Sequence, residues 1–203
     1  GYERILGMPD GWDGYLCDSE NFLDATDLEA APLGYIYEGL VACGPRSSKS
    51  TDTRVYFFEG DIVGALEWQC VELARRYLYE KYGVNPYWGH GRDVVSNFPL
   101  DQYHGFEIIW QNEAKQAPQP GDVISFSGLY AEGHVAIVTY SDVHENGDGF
   151  IQIIEQNASE DGHNIIIVDD WQLKDSISAI NWLHKSTEIG IVTLLSPEDG
   201  ICL

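Results

Sequence analysis

Cys70 opens the stretch "CVELARRYLYEKYG", in which Leu73, Ala74, Tyr77 and Leu78 follow at the i+3, i+4, i+7 and i+8 positions of one helix face. That spacing turns Cys70 toward the protein. Gly64 breaks the chain just upstream, so the cysteine falls in the first turn, where unpaired amide donors and the helix dipole favour a thiolate over a thiol. A cysteine on an apolar face is also an ordinary core residue, and the helix alone leaves both readings open.

A thiolate that attacks an amide carbonyl needs an imidazole to carry the proton and a third group to fix the imidazole tautomer. Of the six histidines, His90 and His104 lie in a Gly- and aromatic-rich connection, His144 in a turn, and His163 and His184 at strand ends. Each of these five reads as exposed or incidentally hydrogen-bonded. His134 differs, because "EGHVAIVTY" makes it the first residue of a strongly apolar strand, directly after a glycine. Its ring faces solvent at the sheet end or a partner in a cleft. In the following strand, "IQIIEQNA", alternation puts Ile151, Ile153, Glu155 and Asn157 on one face, where an acid and an amide are costly unless paired. With "DVHENGDG" closing a hairpin, Glu155 comes opposite the start of the first strand, near His134. The alternative is that the strand has ended and Glu155 is solvated.

Metal chemistry has no comparable pattern: there is no HExxH, no CxxC and no paired-histidine spacing. "DVHENGDG" lacks the spacing of a calcium loop and reads as a turn. No metal and no cofactor is expected. "GPRSSKST", residues 44 to 51, lacks the second glycine of a phosphate-binding loop and reads as an exposed loop, and the sequon at Asn157 abuts an apolar strand.

The elements that must position Cys70, His134 and Glu155 come in two blocks. Residues 1 to about 63 are rich in Gly, Pro, Asp and Ser without a sustained period, and read as loops with short elements. The Cys70 helix stops at Gly83, before Asn85-Pro86, and a second, shorter helix is expected around Arg92 to Asn97. "GFEIIWQN" reads as a strand or a helix edge. After "APQPGD", β-rich runs start at Val123, Gly133, Phe150, Asn164, Ile177 and Ile189, with Gly, Asn and Asp between them. Helix first and an antiparallel sheet of about six strands afterwards gives α+β. The expected organisation is an extension over residues 1 to 55 packed on one domain over 56 to 203.

Thirty-three acidic against eleven basic residues give a formal charge of -22. Such a field repels nucleic acid, anionic lipid and cell-wall polymers, and attracts polyamines and other cations. No stretch has the length of a membrane span, and residues 1 to 20 lack a basic start followed by an apolar run. Cys17, Cys43, Cys70 and Cys202 show no regular spacing, which argues against a disulfide scaffold and for a reducing, cytoplasmic setting.

"WQCVELARRYL", "PQPGDVISF", "GHVAIV" and "IIEQNA" together resemble the CHAP family of cysteine, histidine-dependent amidohydrolases and peptidases. Within it they look closest to the amidase domain of glutathionylspermidine synthetase/amidase. The resemblance implies a papain-like α+β fold with Cys70 as nucleophile, His134 as general base and acid, and Glu155 as the orienting carboxylate. It further implies that Gln69 and the Cys70 amide stabilise the oxyanion, that Asn157 supports the site, and that Arg75 helps hold the acyl part of the substrate. The expected substrate is a peptide–polyamine amide such as glutathionylspermidine. A peptidoglycan amidase or endopeptidase is the runner-up, and an inactive CHAP binding module is a third reading.

Overall fold

The computed structural model describes residues 31–44, 54–57, 62–66, 69–128 apart from 112 and 114, 131–174 and 178–186. In chain order the elements are β1 (Ala31–Tyr37), β2 (Leu40–Gly44), β3 (Arg54–Phe57), β4 (Ile62–Leu66), α1 (Cys70–Tyr82), β5 (Phe106–Trp110), β6 (Val123–Ser127), β7 (His134–Val143), β8 (Gly149–Ile154), β9 (His163–Asp169), β10 (Gln172–Lys174) and β11 (Ser178–Lys185). Among the described residues, one α-helix and a seven-stranded antiparallel sheet, ordered β10-β9-β8-β7-β6-β11-β5, give an α+β architecture.

Three expectations change. The main sheet has seven strands rather than about six, because β5 joins it beside β11 and β10 extends it past β9. Among residues 1 to 63, where loops with short elements were expected, the short elements of the described parts are two antiparallel pairs, β1 with β2 and β3 with β4. Their strands of four to seven residues are interrupted by register shifts, which hides the period of two that would announce them. The expected short helix after Arg92 is a 3-10 turn, Gly91–Asp93, followed by further turns. The run beginning at Ile189 and the loop over 45–51 lie outside the described residues.

Helix α1 ends where glycine lets it. Gly83 adopts φ 67°, and the amides of Gly83 and Val84 satisfy the last carbonyls at Tyr79 and Leu78. Its apolar face, Leu73, Ala74, Tyr77 and Leu78, packs on Val123, Val135, Ile137, Ile154 and Leu183 of the sheet. The opposite sheet face is apolar as well. Ile124, Phe126, Ala136, Val138, Ile151, Ile153, Ile166 and Trp182 bury one another inside a strong curl. The curl is closed between the β5 end and β10, where the Gln111 amide donates to Gln172 Oε1 at 3.0 Å and the Gln172 amide donates to the Gln111 carbonyl at 3.1 Å. Closure of this kind removes exposed sheet edges and holds the central strand, β7, rigidly between its neighbours. Cys43, fully buried in β2, is disulfide-bonded.

Candidate active site

Cys70 stands at the first position of α1, with Gln69 as the extended residue before it, and is 7% exposed. Across from it, His134 begins β7. The preceding Gly133 has φ 64°, and a Cβ there would lie 2.4 Å from the Phe126 carbonyl oxygen, so only glycine fits the turn that delivers His134. A five-residue turn links β7 to β8, as the hairpin reading requires. It returns the chain so that Glu155 Oε2 lies 2.8 Å from His134 Nε2, with the carboxylate 3% and the histidine 9% exposed.

Glu155 does not reach this position by strand alternation. Strand β8 stops at Ile154, and Glu155 and Gln156 are both buried in succession. Asn157, expected on the face of Glu155, instead adopts φ 63°, a conformation asparagine tolerates, and is exposed. Its amide nitrogen lies 3.4 Å from Gln69 Oε1, so it borders the helix start rather than the imidazole.

His134 is hydrogen-bonded to Glu155 and lies close enough to Cys70 for the sulphur to act on its titration. Burial by itself pushes the imidazole toward the neutral form. The interactions with Cys70 and Glu155 outweigh that and push its pKa up to about 10. These partners favour the protonated imidazole, with the Glu155 carboxylate behind it and the Cys70 sulphur in front.

The segment after α1 forms one wall. A Cβ on Gly91 would lie 2.8 Å from the His134 backbone, Ser125 Oγ donates to the Gly91 carbonyl at 2.9 Å, and the Arg92 amide donates to the Glu132 carbonyl at 3.0 Å. Arg75, on α1, donates to the Gly89 carbonyl at 3.4 Å and is partly buried, so it braces this wall. The wall carries Trp88, 76% exposed and edge-on to His90. Arg92 is half-exposed beside Asp93.

Three residues that sequence reasoning missed lie behind the helix start: Glu72, Arg76 and Gln156, exposed by 0%, 1% and 0%. Arg76 pairs with Glu72 at 2.7 Å, one helical turn apart. The i, i+4 spacing of opposite charges was visible, but such pairs are usually solvated, and nothing in the sequence announced the burial. A second imidazole–carboxylate pair, His184 Nδ1 with Asp122 Oδ1 at 2.8 Å, ties β11 to the start of β6. Burial, offset by the Gln119 amide and by His184, raises the Asp122 pKa to about 6. No thiol adjoins this pair among the described residues, where Cys70 is the free cysteine. No cluster of three or more His, Cys, Asp or Glu able to hold a metal occurs among the described residues either.

A buried thiol at a helix start, facing an imidazole oriented by a carboxylate, is the constellation of thiol-dependent acyl-transfer enzymes as a chemical class. Comparison with known families narrows it: residues 61–157 match the CHAP domain, a segment just under half of the chain that contains Cys70, His134 and Glu155, and this supports the CHAP family for it. Two solved structures, described as "The crystal structure of Ly7917" and "The crystal structure of Ly7917 with the hydrolyzing product of MDP", match at 15% identity with TM-scores of 0.37 and 0.38. The matches cover 59% of this chain and 54% of theirs, so the chain spans about half the length of those structures. No curated protein matches. The comparisons single out no relation to glutathionylspermidine amidase.

Proposed function

We propose that this protein is a cysteine amidohydrolase that cleaves an amide or peptide bond through a thioester. The carrying observation is His134 placed between Cys70 at the helix start and the Glu155 carboxylate 2.8 Å from its Nε2, with its pKa pushed up to about 10. Cys70 sulphur, its proton held on His134, attacks the carbonyl carbon and a C–S bond forms as the carbonyl becomes an oxyanion. The Cys70 amide and the Gln69 side chain face that oxyanion at the helix N-terminus. As the oxyanion collapses, the C–N bond breaks and the nitrogen takes its proton from His134. Water, losing a proton to the now neutral imidazole, then attacks the thioester; the C–S bond breaks, the acid is released, and the sulphur is left facing the protonated His134 as at the start. Glu155 keeps one tautomer and orientation throughout.

For the substrate, the polyamine amide gives way to a peptide of the cell-wall type. The wall beside His134 carries the half-exposed Arg92, paired with Asp93, and the exposed ring of Trp88, groups suited to a carboxylate-bearing peptide attached to a sugar, which stacks on an aromatic face. The overall charge of -22 opposes an anionic polymer only at long range, since salt at physiological strength screens it beyond about 8 Å. The Cys43 disulfide fits such a substrate better than the cytoplasmic setting expected from the cysteine spacing. The test is incubation with purified peptidoglycan and, separately, with glutathionylspermidine, counting newly released amino groups and using Cys70→Ala as control. Release from peptidoglycan alone is expected. Release from glutathionylspermidine alone reinstates the polyamine amide, and release equal to that of Cys70→Ala in both refutes the hydrolase reading.

A further inference from the structure

Gln156 is fully buried, follows Glu155 directly, and bonds through both ends of its side chain to groups that frame the Cys70 helix start. Its amide nitrogen donates to the Gln69 carbonyl at 3.1 Å and to Glu72 Oε2 at 2.8 Å. Its Oε1 accepts from the Cys43 amide at 2.8 Å and from Arg76 Nη2 at 3.4 Å. The orientation of the amide follows from chemistry. A backbone N–H and a guanidinium can only donate, while a carbonyl and a carboxylate can only accept, so the oxygen must face the first pair and the nitrogen the second.

We infer that Gln156 is a positioning residue for Cys70, fixing the start of α1 against the Glu155–His134 pair. The contacts form a ring in which every step but the last is one residue or one hydrogen bond: Cys70 to Gln69, Gln69 to Gln156, Gln156 to Glu155, and Glu155 to His134, which lies beside Cys70 and closes it. Consecutive residues sit about 3.8 Å apart, so a shift of the helix start relative to Glu155 must stretch a bond of the ring. The Gln69 carbonyl also accepts from the Glu72 and Leu73 amides, the first hydrogen bonds of the helix, so Gln156 grips the point where α1 begins.

The rest of the network serves the same end. Glu72 would set a negative charge two residues from the sulphur, but Arg76 covers it through both carboxylate oxygens, at 2.7 and 3.2 Å. Arg76 in turn donates to the Val41 carbonyl at 3.0 Å. Val41 and Cys43 belong to β2, outside the segment that matches the CHAP domain, so the N-terminal β1–β2 pair supplies two backbone groups that the ring depends on. The β1–β2 pair is thereby part of the active-site framework rather than decoration.

The inference rests on the cysteine amidohydrolase reading, and the experiment separates the two. Initial rates of Cys70 alkylation by iodoacetamide at pH 6 are measured by mass spectrometry for the wild type, His134→Ala, Gln156→Met, Gln156→Asn and Gln111→Met, each with a urea unfolding curve. Gln111 is a buried glutamine that staples the far side of the sheet, so its replacement controls for losing a buried amide. The expected result is tenfold or greater loss in Gln156→Met, a smaller loss in Gln156→Asn, and wild-type labelling in Gln111→Met. Slow labelling of the wild type, unchanged in His134→Ala, removes the hydrolase reading and the inference with it. Fast wild-type labelling that Gln156→Met retains while folded overturns the positioning role alone. If neither Gln156 variant shows a cooperative unfolding transition, Gln156 serves folding rather than the site, and the inference is overturned.

Discussion

Gly91→Ala tests how tightly His134 is held by the wall that follows α1. The added Cβ would lie 2.8, 2.8 and 2.9 Å from the His134 carbonyl carbon, Cα and nitrogen, where ordinary contacts begin near 3.4 Å. Relief requires about 0.6 Å of movement, and all three neighbours are backbone, so no side chain can turn aside. His134 is the first residue of β7, which β6 pairs from one side and β8 from the other, while Gly91 is tied to Ser125 and its neighbour Arg92 to Glu132. Both sides of the clash are restrained, and the strain divides between them. A misplacement of about 1 Å in a reacting constellation costs about a hundredfold in rate, so a shift of a few tenths of an ångström in the imidazole is expected to lower kcat/KM about tenfold. The overpacking should also destabilise the fold by about 1 to 3 kcal/mol. Peptidoglycan turnover and urea unfolding, measured on the same preparation, read the two effects. A variant that loses stability but turns over at the wild-type rate would refute the reasoning, because the wall alone would then have moved.

Glu155→Gln removes the charge behind the imidazole, and the His134 pKa, read by NMR titration, is expected to fall from about 10 toward the ordinary histidine value. A value unchanged in the variant would mean that Cys70 alone holds the proton there. The same group predicts a pH dependence of stability. Its folded pKa of about 10 lies above the unfolded value of 6.5, so its contribution is fully present below pH 6.5 and is lost as pH rises toward 10. The urea midpoint of the wild type should therefore fall across that window more steeply than that of His134→Gln. Arg76→Met strands the Glu72 carboxylate in the interior and is expected to cost about 3 to 5 kcal/mol, most of it recovered when Glu72→Leu is added. Equal unfolding midpoints for the single and double variants would contradict this.

The helix and most of the sheet were legible because their signals are local. The 3.6-residue spacing after Cys70 and the glycine at 83 mark both ends of α1, and the β-rich runs from Val123 onward are long enough to declare themselves. The sheet closure was not, since it rests on Gln111 meeting Gln172 across 61 residues, a contact with no periodic trace. The two N-terminal strand pairs were hidden by their shortness and bulges. At the site, the proximity of Glu155 to His134 followed from the hairpin, yet the alternation argument chose Asn157 as its companion where the structure buries Gln156. Alternation holds only while the strand lasts, and β8 ends one residue before Glu155. The burial of Glu72 and Arg76 depends on β2 and on Gln156 arriving from distant parts of the chain, and a single helix pattern carries no trace of either.

The central claim is that Cys70 and His134 form one reacting unit backed by Glu155. Trapping the acyl-enzyme tests it most directly: brief exposure to peptidoglycan fragments, an acid quench, and intact-protein mass spectrometry of the wild type and of His134→Ala. The account predicts an added acyl mass on the Cys70 peptide of the wild type, absent in the variant. Substrate cleaved with no mass ever carried by Cys70, or an adduct equally abundant without His134, would contradict it.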